Sequence, residues 1–207
     1  MTNEIAKLLL QIDAVKFNPE RPYKWASGWL SPIYCDNRLT LSYPHVRTSI
    51  KNRLLERIKE KFPSVEVIAG VATAGIPQAA LLADALGISM VYVRPKPKDH
   101  GMENLIEGKT EPGKKVVVVE DLISTGSSSL KAVEALRNSG FDVIGMLAIF
   151  TYEFDVAHQS FLSHKLSLET LCTYSQLISE AVQCGKVDVK HLQTLEAWRA
   201  APDQWGK

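Results

Sequence analysis

The run Val116-Val117-Val118-Val119-Glu120-Asp121-Leu122-Ile123-Ser124-Thr125-Gly126-Ser127-Ser128 constrains this chain more than any other stretch. Four consecutive β-branched residues suit a strand buried on both faces of a parallel sheet. Two adjacent carboxylates then stand at its carboxyl end, where open α/β sheets bind ligands. The Thr-Gly-Ser-Ser turn opens a helix-like segment that runs to Asn138. Free N–H groups and hydroxyls at such a turn offer a place for a phosphate. An ordinary buried strand followed by a capped helix accounts for the valines and for Ser127 or Ser128, but not for two acids ending an apolar strand. Carboxylates beside a phosphate cradle point to a ligand with both hydroxyls and a phosphate, accompanied by a divalent cation. A phosphorylated sugar fits.

The rest of the chain supports an alternating architecture. Ile5, Leu8, Leu9 and Ile12 repeat at helical spacing, as do Val46, Ile50, Leu54 and Ile58 behind Pro44. The second of these helices is basic on its other face (Arg47, Lys51, Arg53, Arg57, Lys59, Lys61), which is usually a solvated face. Between them, Phe17 to Asn37 reads as irregular and rich in aromatics, Pro and Gly. Strands are expected at Val65–Ala69, Ile88–Val93, Lys115–Val119 and Val143–Ile149. Helices are expected at Ile76–Leu86, stopped by Gly87, and Ser128–Asn138, ended by Gly140. Strands alternating with helices imply a parallel sheet with right-handed crossovers. The tail reads as two helices, about Ser167 to Cys184 and Val189 to Ala200.

Three further segments carry chemistry. Gly70-Val71-Ala72-Thr73-Ala74-Gly75-Ile76-Pro77 follows a strand and opens a helix; small residues let a ligand approach the backbone, and a helix N-terminus favours an anion. Arg94-Pro95-Lys96-Pro97-Lys98-Asp99-His100-Gly101 leaves a strand and enters a connection long enough for a lid, whose cations suit a polyanionic leaving group. Tyr23-Lys24-Trp25-Ala26-Ser27-Gly28-Trp29-Leu30-Ser31-Pro32-Ile33-Tyr34 could frame a planar ring through backbone hydrogen bonds and stacking, although Trp25 and Trp29 taken singly read as core aromatics.

The Val116 run resembles the phosphoribosyl-pyrophosphate (PRPP) signature of the type I phosphoribosyltransferases. With Ser-Gly-x-x-Ser-Pro-x-Tyr, Ala-Thr-Ala-Gly-Ile-Pro, Lys-x-His-Gly and Glu-Asp-x-Ile-Ser-Thr-Gly in this order, the stretch from about Phe17 to Phe150 resembles the orotate phosphoribosyltransferases. The resemblance implies a type I phosphoribosyltransferase α/β fold: a mostly parallel central sheet flanked by helices, with a small N-terminal hood and a helical C-terminal tail. It implies one domain over 1–207, with the hood at about 1–45, the core at about 60–155 and the tail at about 165–200. Glu120 and Asp121 would hold the ribose hydroxyls and favour the cationic ribosyl centre, and Ser124, Thr125, Gly126, Ser127 and Ser128 would wrap the 5-phosphate. Thr73, Ala74 and Gly75 would approach the pyrophosphate. Arg94, Lys96, Lys98 and His100 would close over it, Lys98 and His100 acting in catalysis, in this family usually from the neighbouring subunit of a homodimer. Ser31, Pro32, Ile33 and Tyr34, with Thr125, would line the orotate pocket. Mg²⁺ would be bound mainly through PRPP and water rather than by a protein metal site. The chain departs from the family pattern at Ala26, Pro95 and Ser127, where lysine, lysine and glycine are common, and it has no arginine near Phe150 to Tyr152.

Composition narrows the alternatives. In 207 residues, 24 Lys+Arg against 23 Asp+Glu leave no global basic field for nucleic acid. Cys35, Cys172 and Cys184 are odd in number and far apart, so free thiols in a reducing cytoplasm are expected. No apolar stretch approaches membrane-spanning length. A transferase for another base is opposed by the Ser-Pro-Ile-Tyr segment. A PRPP-sensing regulator would need a DNA-binding element, and the basic helix after Pro44 lacks a helix-turn-helix partner.

Overall fold

The computed structural model describes residues 3–96 and 105–206. In chain order the elements are α1 (Glu4–Gln11), β1 (Val15–Phe17), β2 (Tyr23–Lys24), β3 (Leu30–Ser31), β4 (Ile33–Cys35), a 3₁₀ segment (Asn37–Ser42), α2 (Pro44–Lys61), β5 (Val67–Val71), α3 (Gly75–Leu86), β6 (Ser89–Val93), β7 (Ile106–Glu107), β8 (Lys115–Ile123), α4 (Ser127–Asn138), β9 (Asp142–Thr151), α5 (Asp155–Ser163), β10 (Leu168–Thr173), α6 (Tyr174–Gln183) and α7 (Leu192–Ala200).

Six strands form one sheet in the order β10-β9-β8-β5-β6-β7. Its ladders are parallel except that between β6 and β7. The valine run sits at its centre: Val116 to Val119 are all fully buried. Successive side chains of a strand point to opposite faces. Val117 and Val119 accordingly pack on the face covered by α1, α2, α3, α6 and α7, and Val116 and Val118 on the face covered by α4 and α5. On α2, Val46, Ile50, Leu54 and Ile58 are buried, while Arg53 on its outer face pairs with Glu4 and Glu56. The N-terminal part forms two small antiparallel ladders, β1 with β4 and β2 with β3.

Two readings of the sequence are corrected. Residues 168–173 form the edge strand β10 rather than the start of a helix; the helix begins only at Tyr174, behind a Thr173 capping box with Gln176. Leu168, Leu171 and Cys172 have helical spacing, but β10 pairs along β9 from Leu168↔Met146 to Thr173↔Thr151, and that ladder overrides the local pattern. The segment Asp155–Ser163, assigned no element from sequence, is helix α5, whose Ala157 and Phe161 close the α4 face. The region from Phe17 to Asn37 also contains three short strands. Strand β8 runs four residues further than expected, carrying Glu120 and Asp121 within the ladder.

Candidate active site

The end of β8 is built by two neighbours that leave it at different points. The β9 ladder continues to Ile123, whereas the β5 ladder stops at the Gly70↔Val119 pair. Past that point side chains take both main-chain groups of Asp121: its N–H donates to Glu120 Oε1 (3.1 Å), and its carbonyl accepts from Asn37 Nδ2 (2.7 Å). Buried main-chain groups need such partners. Glu120 projects to the α4 face, where Ser129 Oγ donates to Oε2 at 3.2 Å. It is only 6% exposed. Burial, and next the adjacent Asp121 carboxylate, push Glu120 up to about 9. Burial raises Asp121 as well, opposed in part by the Arg38 charge. Burial and mutual repulsion therefore favour a proton on the pair, and a cation nearby would favour its release.

Two turns open beside these acids. The β5–α3 turn contains a cis Ala72–Thr73 peptide bond and is packed tightly onto β8: a Cβ at Gly75 would lie 2.4 Å from the Val119 carbonyl oxygen. In the β8–α4 turn, Gly126 has φ +77, the left-handed region that glycine enters without strain, and a Cβ there would also meet Phe161 at 2.7 Å. Neither α3 nor α4 has a side-chain N-cap hydrogen bond. First-turn N–H groups of both helices, which start from the neighbouring strands β5 and β8, are thus left for an anion.

A cleft of about 670 Å³ joins the turns, lined by Ala72, Arg94, Thr125, Ser127, Ser128 and Lys131 among others. Arg94 is anchored by its own N–H on the Leu105 carbonyl and lies 3.6 Å from Glu107. The Nη1 that faces Glu107 is buried and has no hydrogen-bond partner among the described residues. Lys96 is exposed just beyond it. Lys98 and His100 lie outside the described residues.

A second cleft, of about 330 Å³, lies on the other side of the β8–α4 turn. Lys24, Trp25, Ala26, Tyr34, Cys35, Leu122, Ser124 and Tyr152 line it. Of the aromatic-loop candidates, Tyr34 faces this cleft, whereas Ser31, Pro32 and Ile33 are buried behind it. Ser31 Oγ donates to the Ile33 carbonyl (2.6 Å) and accepts from the Ile33 N–H (3.3 Å), which fixes the bend that presents Tyr34. Ser124 borders the smaller cleft and Thr125 the larger one. Lys24 supplies the positive charge of the smaller cleft's lining.

Its floor is aromatic. Trp25 packs against Tyr152 (5.1 Å between centroids), Phe154 and Trp198, and Trp29 against Phe154. Trp198, fully buried on α7, donates its indole N–H to the Leu30 carbonyl at 2.9 Å. Sequence reasoning missed Asn37, Lys131, Tyr152 and Trp198. Asn37 and Trp198 act across 84 and 168 residues, and no local pattern marks such contacts. Among the described residues, no group of three or more His, Cys, Asp and Glu is placed to hold a metal ion.

Residues 39–173 match the phosphoribosyl transferase domain family. The chain is 58% identical over 206 residues to the orotate phosphoribosyltransferase of Cytophaga hutchinsonii, covering 100% of this chain and 99% of that one. The crystal structure of orotate phosphoribosyltransferase from Aeropyrum pernix superposes with a TM-score of 0.78 at 30% identity, covering 89% of this chain and 99% of that one. The Mycobacterium tuberculosis enzyme solved in complex with 5-phospho-α-D-ribosyl 1-diphosphate is similar at a TM-score of 0.66 and 25% identity, covering 84% of this chain and 97% of that one.

Proposed function

The chain belongs to the phosphoribosyl transferase domain family and, within it, to the orotate phosphoribosyltransferases, and from that membership we propose that its two clefts carry out one reaction. The 5-phosphoribosyl group of PRPP passes to orotate, giving orotidine 5′-monophosphate and pyrophosphate in UMP synthesis. One observation supports the assignment of clefts above the others: a single segment, Leu122 to Ser128, running from the end of β8 into α4, lines both, directly after the paired acids. A substrate with a phosphate held at the start of α4 has its ribose beside Glu120 and Asp121, and a planar base in the smaller cleft adjoins the ribose.

The bond from ribose C1 to the pyrophosphate oxygen breaks, and the electron pair leaves with pyrophosphate. Glu120 and Asp121 stabilise the cationic ribosyl centre that develops, and Glu120 can give up its proton as that charge appears. The orotate ring nitrogen then bonds to C1 and gives up its proton, which the departing pyrophosphate can take, with no protein nucleophile needed. Thr73, Ala74 and Gly75 offer backbone to the pyrophosphate, and Arg94 adds positive charge. Ser124, Thr125, Gly126, Ser127 and Ser128 wrap the 5-phosphate. Arg94, Lys96, Lys98 and His100 are assigned to closing over the pyrophosphate and excluding water, with Lys98 and His100 delivered by the second subunit of a homodimer. Tyr34, with Ser31, Pro32 and Ile33 behind it, frames orotate, and Lys24 is placed to face its carboxylate.

The paired acids fit a divalent cation nearby, since a buried carboxylate pair is relieved by positive charge. Mg²⁺ bound to PRPP phosphates and water would neutralise the leaving pyrophosphate. The reading is that of a cytoplasmic enzyme, and its three free thiols suit a reducing compartment.

The test follows orotate absorbance with PRPP and Mg²⁺, against a panel of uracil, hypoxanthine and adenine. The expected result is orotate loss that needs both PRPP and metal and falls about 10²–10³-fold in Asp121→Asn, the scale for removing one preorganised electrostatic group. Turnover of another base in place of orotate, or an unaffected Asp121→Asn, would overturn the assignment.

A further inference from the structure

Asn37 is 2% exposed, yet it lies on neither cleft's lining. Its Nδ2 donates to the Asp121 carbonyl at 2.7 Å, and its Oδ1 accepts from Cys35 Sγ at 3.3 Å. Cys35 and Tyr34 border the smaller cleft from β4, and Asp121 lies two residues before the end of β8, from which the chain runs on to the larger cleft. One buried amide thus ties the strand that frames the base to the acid that faces the ribose. It makes this tie where β5 has left the ladder and no strand holds the Asp121 carbonyl on that side.

The main chain around Asn37 is ordered by contacts of its own. The Asn37 carbonyl accepts from Thr40 Oγ1 at 2.6 Å, within the 3₁₀ segment. Asp36, which caps that segment, pairs in bidentate fashion with Arg38 at 2.6 and 2.9 Å. Elements that position reacting groups through rigid second contacts are worth far more to the rate than to binding, because a misalignment of about 1 Å costs on the order of 100-fold.

Given the transfer reaction proposed above, on which this assignment rests, we propose that Asn37 is a positioning residue that sets the base cleft in register with Asp121, so that the base nitrogen meets ribose C1. It touches neither substrate. Its loss leaves each half-site able to bind and lets the two drift relative to each other.

The experiment measures kcat and both KM values for Asn37→Leu, which keeps the branching but is bulkier and apolar, and for Asn37→Ser, which adds no bulk and cannot reach Asp121. Thr40→Val serves as the control: it removes a buried hydrogen bond of the same segment without touching Asp121. The expected result is a 10–100-fold fall in kcat for the Asn37 variants, with the KM for orotate and for PRPP each within threefold of wild type. Thr40→Val keeps kcat within twofold even where its melting temperature falls. Should Asn37→Leu fail to fold, Asn37→Ser gives the reading alone. Asn37 variants with kcat within twofold of wild type would overturn the proposal. So would a rise confined to KM, or an equal kcat loss in Thr40→Val. Wild-type enzyme that does not consume orotate would instead overturn the reaction itself, which the same assay distinguishes.

Discussion

Glu120 keeps a proton at neutral pH because α4 and the sheet bury it beside a second carboxyl group, and this has a consequence for folding. Between the ordinary carboxylate range and about 9, the unfolded chain has released a proton that the folded one retains. Stability from this group is therefore fully present below the unfolded value and falls as pH rises through that window. Glu120→Gln keeps one oxygen for the Asp121 N–H, turns an amide donor toward the Ser129 hydroxyl, and has no proton to lose. In denaturant unfolding without ligands, the variant is expected to gain on wild type as pH rises from 6 to 8, by on the order of 1 kcal/mol per pH unit at most. A constant difference across that range would mean that Glu120 is ionised throughout. The two acids themselves were legible in the sequence, because an apolar strand seldom ends in paired carboxylates for packing reasons. Their shared proton was not, since it depends on what covers them.

Among the elements, the turns after β5 and β8 were legible and the aromatic floor was not. A turn announces itself through composition: Ala-Thr-Ala-Gly and Ser-Thr-Gly-Ser each place small or hydroxyl residues between a strand and a helix. Strand β10 imitates a helix in spacing, and only its ladder with β9 decides the matter. Helix α7 reads as an ordinary amphipathic segment, yet its Trp198 packs against Trp25, Tyr152, Phe154 and Tyr174 and holds the Leu30 carbonyl. Trp198→Phe keeps most of the packing and removes the donor. It is expected to raise the KM for orotate several-fold and leave that for PRPP unchanged, by steady-state kinetics. Trp198→Ala adds the cost of an emptied core site, about 3–5 kcal/mol, read as a lower melting temperature. Equal changes in both KM values for Trp198→Phe would show that α7 has no selective hold on the base loop.

For the molecule as a whole, the proposed sharing of Lys98 between subunits makes activity a property of pairs. Lys98→Ala and Asp121→Asn, each nearly inactive alone, would then rescue one another when subunits are mixed and allowed to exchange. Random pairing leaves one undamaged site in half of the dimers, so about a quarter of wild-type activity should return. No recovery, with exchange verified by a tagged subunit, would place Lys98 in the same subunit as the acids it serves. The indole bond between Trp198 and Leu30 bears on a different scale of time. During synthesis the loop that frames the base emerges early and the tryptophan beneath it very late, 168 positions further on. A chain shortened before Trp198 would keep the residues of both phosphate turns and the paired acids but would lose the donor that holds the Leu30 carbonyl. Translation thus supplies the loop long before the contact that steadies it.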